Sequence, residues 1–513
     1  MAYIRYITKE NGFEYASIAN SKRDGEQISQ EYLGNLGRVI DKSLGIFKNR
    51  ERGLFCYSIE SGYSDLPEDY TPSADVVEKE RLILDFGDSF FLHEFIENQA
   101  FKVAIGTVVD KNLDTLMSLL YYRILTDEKA YLYADTWYKG NYTSVLFPKA
   151  HLKSQRLSEF LVQLGKEENQ RRFFAKYFEC LYGKNGTAGI VIDSSGLPNA
   201  SKMSITQISN HNGEINLEAR LIYVLDRKNG MPIYFRYCPG NIVDVSTLCT
   251  TLAELKQYKI DTDYAIVDAG YFCEPNVKEL YRNDVKFITR LAPNRTIFKE
   301  AYNKVCKNLT SSENALRYGN RLVYIAKTKL DIYGYTGFAY VGIDVDSRNQ
   351  QTKRAAFEAF DDKLPNTEMD AKMAQLGLFV IVSSENLPTS EILPLYYTRQ
   401  QVEQVFDISK NNADILPIRV QNEDTFRGHL MLTFLATVVI HKLQRDIITK
   451  RKKSDKVCPE GAFMSLRNQK CKVFQKEIVP QEAVRTNNEL YKIFNIICPT
   501  TISKCSKNLG REL

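Results

Sequence analysis

The sequence predicts a mixed α/β protein whose central part is one sheet of parallel and antiparallel strands. Two observations carry this prediction. Between residues 184 and 291, short apolar runs typical of strands alternate with amphipathic runs typical of helices. The same rhythm resumes at residue 376, after a stretch of different texture. A core interrupted by an insertion accounts for both observations.

Two regions precede this core. Residues 1–60 contain short β-like runs separated by turn signals, which predicts a small β-rich unit. Residues 61–183 carry apolar residues at spacings of three and four, as in "LDTLMSLLYYRIL", which predicts helices.

The core itself is expected at 184–291 and 376–445. Three strands come first, and the second and third, "EARLIYVLD" and "MPIYFRYCPGN", are joined by the hairpin signal "RKNG". A helix, a strand, a helix and a strand follow, then a β-rich insertion at 292–375, and then a strand and helices. This order is typical of the ribonuclease-H-like architecture, which we therefore predict for the catalytic core.

Charge is concentrated at the C-terminal end of the chain. Residues 451–513 hold 13 Lys and Arg against 6 Asp and Glu, a net charge of +7, while the whole chain carries +5. The rest of the chain therefore sums to about −2. A basic C-terminal region, 446–513, suits an anionic partner such as nucleic acid, although a solvated basic tail has the same composition.

The composition also argues against several classes of protein. The ten Cys form no Cys-x-x-Cys pair and no Cys/His cluster, which argues against zinc and a disulfide scaffold and suits a reducing cytoplasm. The N-terminus lacks the apolar core of a signal peptide, and the longest apolar stretch, Leu430 to Ile440, is too short to span a bilayer. We expect a cytoplasmic protein with no membrane partner.

Carboxylates stand where two predicted strands end. Asp193 closes the strand "AGIVID", and Asp268 closes the strand in "DYAIVDAGY". Either residue alone is more simply a turn former. Two acids from one sheet are more informative, because the carboxyl ends of parallel strands meet at a ligand crevice.

A third carboxylate lies on the predicted helix "YYTRQQVEQVFDISKNN". At about 100° per residue, Arg399, Glu403 and Lys410 lie within about 60° of Tyr396 on one helix face. A solvated face with an Arg399–Glu403 pair at i, i+4 is the alternative, and such a pair contributes only about 0.2–0.5 kcal/mol. Together with two strand-end acids, however, Glu403 would complete a set of hard oxygen ligands suited to Mg²⁺ or Mn²⁺. Two such ions can activate a nucleophile and stabilise the leaving oxygen of a phosphodiester.

These segments resemble a known family. The spacing Tyr396-x2-Arg399-x3-Glu403-x6-Lys410 is similar to the Tyr–Arg–Glu–Lys signature of bacterial DDE insertion-sequence transposases of the IS-four-like group. "VIDSSGLP" and "IVDAGYFCEPNVKEL" resemble the segments that carry the first and second Asp of that family, and "MPIYFRYCPGNIVDVSTL" resembles the segment between them. The stretch "RVQNEDTFRGHLMLTFLATVVIHKL" is similar to the helix after the signature.

The resemblance implies a DNA transposase with a ribonuclease-H-like core. It implies that Asp193, Asp268 and Glu403 are catalytic and bind two Mg²⁺ ions, for which Mn²⁺ can substitute. It further implies that Tyr396, Arg399 and Lys410 bind DNA.

The implied partners are double-stranded DNA and a second copy of the chain. The DNA comprises the terminal inverted repeats of a transposon and the target, and a homodimer is expected on DNA. The protein would be bacterial and nucleoid-associated. The helical region 61–183 then becomes a candidate for DNA binding or dimerisation, with plain helix packing as the alternative.

Other functions stay open at this point. A non-catalytic DNA-binding protein derived from a transposase, and a ribonuclease-H-like nuclease without joining activity, would have the same fold. In addition, some relatives use a hairpin intermediate and stack a flipped base on a Trp in the insertion. Here the only Trp, Trp137, lies outside the insertion, whose aromatic residues include Tyr333, Tyr335, Phe338 and Tyr340.

Overall fold

A computed structural model of the chain describes most residues between 2 and 503. The residues outside the description are 1, 9–12, 25–26, 50–51, 68–69, 71–81, 128–129, 185, 200, 202, 212–213, 243, 363–375, 414, 417, 419, 421, 453–460, 475–476 and 504–513.

The described residues form strands and helices that we number along the chain. The strands are β1 (Ala2–Thr8), β2 (Glu14–Asp24), β3 (Gln27–Asp41), β4 (Ile46–Asn49), β5 (Gly53–Ser58), β6 (Gly62–Ser64), β7 (Leu82–Asp85), β8 (Gly186–Pro198), β9 (Gln207–His211), β10 (Glu214–Asp226), β11 (Pro232–Pro239), β12 (Ile260–Val267), β13 (Lys286–Arg290), β14 (Ala315–Tyr318), β15 (Arg321–Ile332), β16 (Tyr335–Asp344), β17 (Leu378–Ser383), β18 (Lys470–Val473), β19 (Glu477–Pro480) and β20 (Ile502–Ser503).

The α-helices are α1 (Gly87–Glu97), α2 (Lys102–Gly106), α3 (Leu113–Leu125), α4 (Ala134–Gly140), α5 (Thr143–Leu146), α6 (Ser154–Leu164), α7 (Glu167–Tyr182), α8 (Leu248–Gln257), α9 (Glu274–Arg282), α10 (Thr296–Val305), α11 (Val345–Asp362), α12 (Thr389–Tyr396), α13 (Gln400–Asp407), α14 (Glu423–Lys450), α15 (Ala462–Arg467) and α16 (Arg485–Ile493).

The chain divides into two units. The first comprises residues 1–85, 469–482 and 498–512, and the second comprises essentially residues 86–468 and 483–497. The basic C-terminal region is thus shared between folded elements of both units. It supplies β18, β19 and β20 to the first unit, and α15 and α16 to the second.

The first unit contains two antiparallel sheets. Strands β1 to β6 form one sheet in chain order, as the β-like runs near the N-terminus predict. Its small core consists of Ala16, Ile18, Leu36, Phe47 and Phe55. The other sheet has the order β20-β19-β18-β7.

The second unit is built on a mixed sheet. Its strand order is β11-β10-β8-β12-β13-β17-β16-β15-β14, with β9 beside β10. Strands β8, β12 and β13 are parallel to one another. Strand β10 runs antiparallel to β8, and β11 runs antiparallel to β10 as the second strand of the predicted hairpin. Helix α8 connects β11 to β12, and helix α9 connects β12 to β13. The segment 292–375 adds β14, β15 and β16 to this same sheet, together with α10 and α11.

Apolar residues explain why the parallel strands are central. Ile190, Val191 and Ile192 of β8 are completely buried in succession. Such a run, without alternation, is typical of a strand covered on both faces. On one face, the Phe434 ring of α14 packs on Phe235 of β11 and Phe174 of α7, with ring centroids 5.0 and 5.6 Å apart.

Helix α14 passes very close to α6. A Cβ atom built on Gly428 would lie 1.9 Å from the carbonyl oxygen of Leu161, so the close approach requires glycine. Leu430 to Ile440 of α14 are all buried, as expected for an apolar stretch of that length inside a globular unit. Among the helices of the described residues, none is long and apolar enough to cross a membrane.

The predicted helix from Tyr396 to Asn412 is helical but not continuous. Helix α12 ends at Tyr396, a 3₁₀ turn covers Tyr397–Arg399, α13 follows, and Ile408–Asn412 form a π-helical turn. Pro394 lies inside α12, and a proline donates no backbone hydrogen bond, which weakens the helix there. Periodicity alone could not predict these changes of winding.

Candidate active site

Asp193 lies on β8 at the point where parallel pairing stops. Ile192 is the last residue of β8 in register with β12, opposite Val267. The strand does not end at Asp193, as the sequence suggested, but continues to Pro198 beside β10. The side chain of Asp193 keeps 15% of its surface exposed, and its Oδ1 accepts a hydrogen bond from the Ser194 amide.

Asp268 follows directly on the neighbouring strand. It is the residue after Val267, which ends β12, and its backbone stays extended with φ −77° and ψ 167°. Because Ile192 and Val267 are in register, the next residue on each strand brings Asp193 and Asp268 to the same edge of the sheet. This juxtaposition is the one expected from the two strand-end acids.

Glu403 reaches the same edge from α13. Val402, Val405 and Phe406 form the buried face of this helix, and the Phe406 ring packs 5.0 Å from the Tyr223 ring of β10. With that face on the sheet, Glu403 remains 55% exposed beside the acids. The apolar face therefore fixes the side on which the carboxylate emerges.

Arg399 connects the three acids. Its Nη1 donates to Asp193 Oδ2 at 2.6 Å, and its Nη2 donates to Glu403 Oε1 at 3.2 Å. Its Nε lies 3.8 Å from Asp268 Oδ1. Burial opposes the charge on the guanidinium, but the carboxylates of Asp193 and Asp268 outweigh it and raise the pKa of Arg399. The sequence-predicted carboxylates are thus gathered around a single guanidinium.

Tyr396 and Lys410 border this cluster on different sides. The buried Tyr396 hydroxyl donates to Asp268 Oδ1 at 3.3 Å, and burial followed by the Asp268 charge raises the pKa of the phenol. Lys410 Nζ instead donates to Ser195 Oγ at 2.7 Å, two residues beyond Asp193 on β8. The Lys410 ammonium therefore lies beside the strand that carries the first acid.

Buried hydroxyl groups hold the π-helical turn that carries Lys410 against the sheet and α14. Ser409 Oγ lies 2.8 Å from the Tyr223 hydroxyl and 2.9 Å from Thr437 Oγ1 of α14. Ala413 N closes the turn by donating to the Ile408 carbonyl at 2.8 Å. These hydrogen bonds could not be predicted from the sequence, because nothing in it distinguishes Ser409 and Thr437 from other serines and threonines.

Comparison with known proteins relates the part of the chain that carries these residues to a family. Residues 184–439, about half of the chain, match the family model described as the transposase DDE domain. This part of the chain is a DDE transposase domain. Among curated proteins, none matches the chain. A solved structure described as the piggyBac transposase synaptic complex with hairpin DNA is similar at 10% identity, with a TM-score of 0.40 over 76% of this chain and 82% of that chain.

The DDE domain has the donor set of a divalent-metal site. Three carboxylates surround one cation, and carboxylate oxygens are the ligands preferred by Mg²⁺ and Mn²⁺. Among the described residues, no group of three His, Cys, Asp or Glu side chains is arranged to hold a metal ion. The cation that contacts all three acids is the Arg399 guanidinium, and the acids fit a divalent metal ion in the chemistry of their oxygen atoms.

Sequence reasoning missed other polar residues at this edge of the DDE domain. Ser195, two residues after Asp193, had no predicted role, and it accepts the hydrogen bond from Lys410. Arg290 is the last residue of β13. Thr289 is in register with Val267, so the next residues on the two strands, Arg290 and Asp268, are neighbours. A charged residue that closes the apolar run "VKFITRL" was the available signal.

The aromatic residues of segment 292–375 have structural partners. Tyr340 is completely buried, and its hydroxyl donates to the Leu387 carbonyl at 2.8 Å. Tyr335 stacks on Tyr281 with centroids 4.4 Å apart, and Trp137 packs against Tyr122 in the helical region.

Proposed function

We propose that the protein is a DDE transposase that cuts DNA at transposon ends and joins the ends to target DNA. The observation that carries the proposal is the convergence of Asp193, Asp268 and Glu403 on Arg399, inside a stretch that matches the transposase DDE domain. The strand order β11-β10-β8-β12-β13, three antiparallel strands followed by two parallel additions, supports a ribonuclease-H-like core.

In this proposal the three carboxylates are the metal ligands. Bound Mg²⁺ or Mn²⁺, as two ions, would polarise the scissile phosphodiester and the attacking water or 3′-hydroxyl. Asp193 and Asp268 are held by the sheet, whereas Glu403 comes from α13 and is the most exposed of the three. Three neighbouring carboxylates without a cation would repel each other, and Arg399 contacts all three and supplies opposing charge.

The basic residues around the acids would orient the DNA. Arg399 released from the acids can bind a phosphate through two parallel hydrogen bonds. Lys410 and Tyr396 lie on either side and would hold the strand near Asp193 and Asp268, respectively. We further propose a homodimer on the DNA and a location in the bacterial cytoplasm near the nucleoid.

The test begins with the DNA that flanks the gene. Inverted repeats found there provide a duplex that contains one transposon end. The purified protein should nick this duplex in Mg²⁺ or Mn²⁺, and a supercoiled plasmid added as target should capture the cut end. Neither product should appear in EDTA, and Ca²⁺ should block cleavage because it prefers more ligands at longer distances.

Each alternative function gives a different result in this test. Cleavage without capture by the plasmid would identify a nuclease that does not join. Binding of the end with no cleavage in either metal would identify a DNA-binding protein without catalysis. Full cleavage in EDTA would refute the metal-dependent mechanism.

A further inference from the structure

A cleft that holds two arginines and one aspartate, Arg290, Arg321 and Asp344, lies beside the acids. It encloses about 110 Å³ and is lined by residues of β13, β15, β16, β17 and α11 and by the end of α12. Tyr396 belongs to both places, because it lines this cleft and its hydroxyl donates to Asp268. We call this feature the Arg290 cleft, after the residue on its side nearest the acids.

Arg290 is placed by the register of two parallel strands. Val267 and Thr289 are opposite each other, so Asp268 and Arg290 are the next residues on adjoining strands, with their backbones about 5 Å apart. The Thr289 hydroxyl also donates to the Asp268 carbonyl at 3.2 Å, which ties the two strand ends together. Arg290 therefore extends the row of Asp193 and Asp268 along the same edge of the sheet.

The Arg290 side chain is exposed and lacks a carboxylate partner among the residues that the structure describes. An exposed cation beside three acids that does not pair with them is available for an anion from solution.

Arg321 supplies a second positive charge in the same cleft. Its Nη1 donates to Asp344 Oδ2 at 2.8 Å, and the side chain remains 40% exposed. The guanidinium also lies 5.3 and 5.7 Å from the ring centroids of Tyr318 and Tyr397, which stack on each other at 5.3 Å. The carboxylate and the two rings hold this guanidinium in place.

We propose that the Arg290 cleft binds a DNA backbone phosphate next to the one that is cut, with Arg290 as its direct ligand and Arg321 as the second cation. This inference rests on the proposed function, since it places the scissile phosphate at Asp193, Asp268 and Glu403. Phosphates recur on one strand about every 3.4 Å of helix rise, so a strand that crosses the acids presents its next phosphates to the flanking residues. The cleft would offset the repulsion between the acids and the DNA backbone.

The experiment compares Arg290→Gln with a matched control, Arg282→Gln. Arg282 lies at the end of α9, before the opposite end of β13, and its side chain is 67% exposed. Both changes remove one positive charge, but only one removes it beside the acids. Binding of a fluorescent duplex containing the gene's own inverted-repeat end is measured by anisotropy in Ca²⁺, from 50 to 200 mM KCl.

One lost phosphate contact has a defined signature. The logarithm of the association constant decreases with the logarithm of the KCl concentration, and this dependence should become less steep by about 0.9 for Arg290→Gln. The variant should also bind about tenfold more weakly at 50 mM KCl. Arg290→Lys should keep the slope because it keeps the charge, and Arg282→Gln should equal the wild type. The double change of Arg290 and Arg321 to Gln should make the salt dependence less steep by about 1.8.

The outcomes separate this inference from the function on which it rests. If the wild type binds and cleaves the end while Arg290→Gln keeps the wild-type slope and affinity, the cleft is not a phosphate site and the proposed function stands. If Arg290→Lys loses as much slope as Arg290→Gln, the residue is structural and the inference is overturned. If the wild type neither binds nor cleaves the end, both proposals are wrong.

Discussion

Replacing Arg399 with Gln should make the metal-free protein bind Mn²⁺ more tightly. In the structure the guanidinium occupies the place between the three carboxylates, so an incoming ion must displace it or share the acids with it. Gln cannot provide the competing charge. The acids would then face each other without a cation, and that repulsion raises their affinity for an ion.

The size of the effect follows from the three contacts. The Asp193 contact is short at 2.6 Å and mostly buried, and a hydrogen bond between charged groups contributes about 1.5–3 kcal/mol. The contacts with Asp268 and Glu403 are longer and involve carboxylates that are 41% and 55% exposed, so each contributes about 0.2–1 kcal/mol. Breaking all three contacts costs about 2–5 kcal/mol, which corresponds to a change in affinity between about 25-fold and several thousand-fold.

The affinity for Mn²⁺ is measured by titration at pH 7.5 without DNA. The electron paramagnetic resonance signal of the free ion follows the titration. Lys410→Gln is the matched control, because Lys410 contacts Ser195 and none of the three acids. We expect a change of less than about threefold for that variant, because its charge acts on the ions only through solvent. Circular dichroism checks that both variants are folded.

A weaker affinity of Arg399→Gln for Mn²⁺ would refute this reasoning. It would mean that the guanidinium holds the carboxylates in position for the metal rather than competing with it. An equal gain in Lys410→Gln would attribute the effect to net charge instead of to the contacts.

Three further predictions follow from the fold and the site. Glu403→Gln should abolish end cleavage while gel-shift binding survives, and a cleaving variant would show that this helix face is solvent-facing and not catalytic. Gly428→Ala should lower the free energy of unfolding by about 1–3 kcal/mol in urea titrations, because its Cβ would meet the Leu161 carbonyl and α6 and α14 would have to separate. Burial holds the pKa of His441 at about 4, so the unfolded chain gains its proton first as the pH falls below about 6.5. Stability should fall by about 3 kcal/mol between pH 6.5 and 4, and His441→Leu should remove that part of the loss in thermal melts.

Patterns of apolar residues and turn signals predicted much of the fold. The mixed sheet, the β-rich N-terminal unit and the helical region all have local signatures that act over a few residues. The C-terminal region had no such signature beyond its charge. Its strand β18 pairs with β7, almost 400 residues earlier, and a partner that distant leaves no periodicity in the sequence. Deleting 451–513 would therefore remove packed elements together with the positive charges, and charge-only substitutions are the better test of DNA binding there.

The sequence predicted the three carboxylates of the candidate site but not the contact between Arg399 and Asp193. A solvated helix face with an Arg399–Glu403 pair at i, i+4 was the alternative interpretation of this helix, and Arg399 Nη2 does lie 3.2 Å from Glu403 Oε1. The shorter contact is with Asp193, 206 residues earlier in the chain, and it exists because the apolar face of α13 packs on the sheet, with Phe406 against Tyr223 of β10. Helix spacing is enough to identify the Arg399–Glu403 pair. Whether Arg399 forms only that exposed pair or contacts three carboxylates depends on the position of the helix relative to the strand ends, which the spacing does not give. For the same reason Arg290 escaped notice: its importance comes from its neighbour on the next strand, and that neighbour is set by strand register, which becomes visible only once the sheet is assembled.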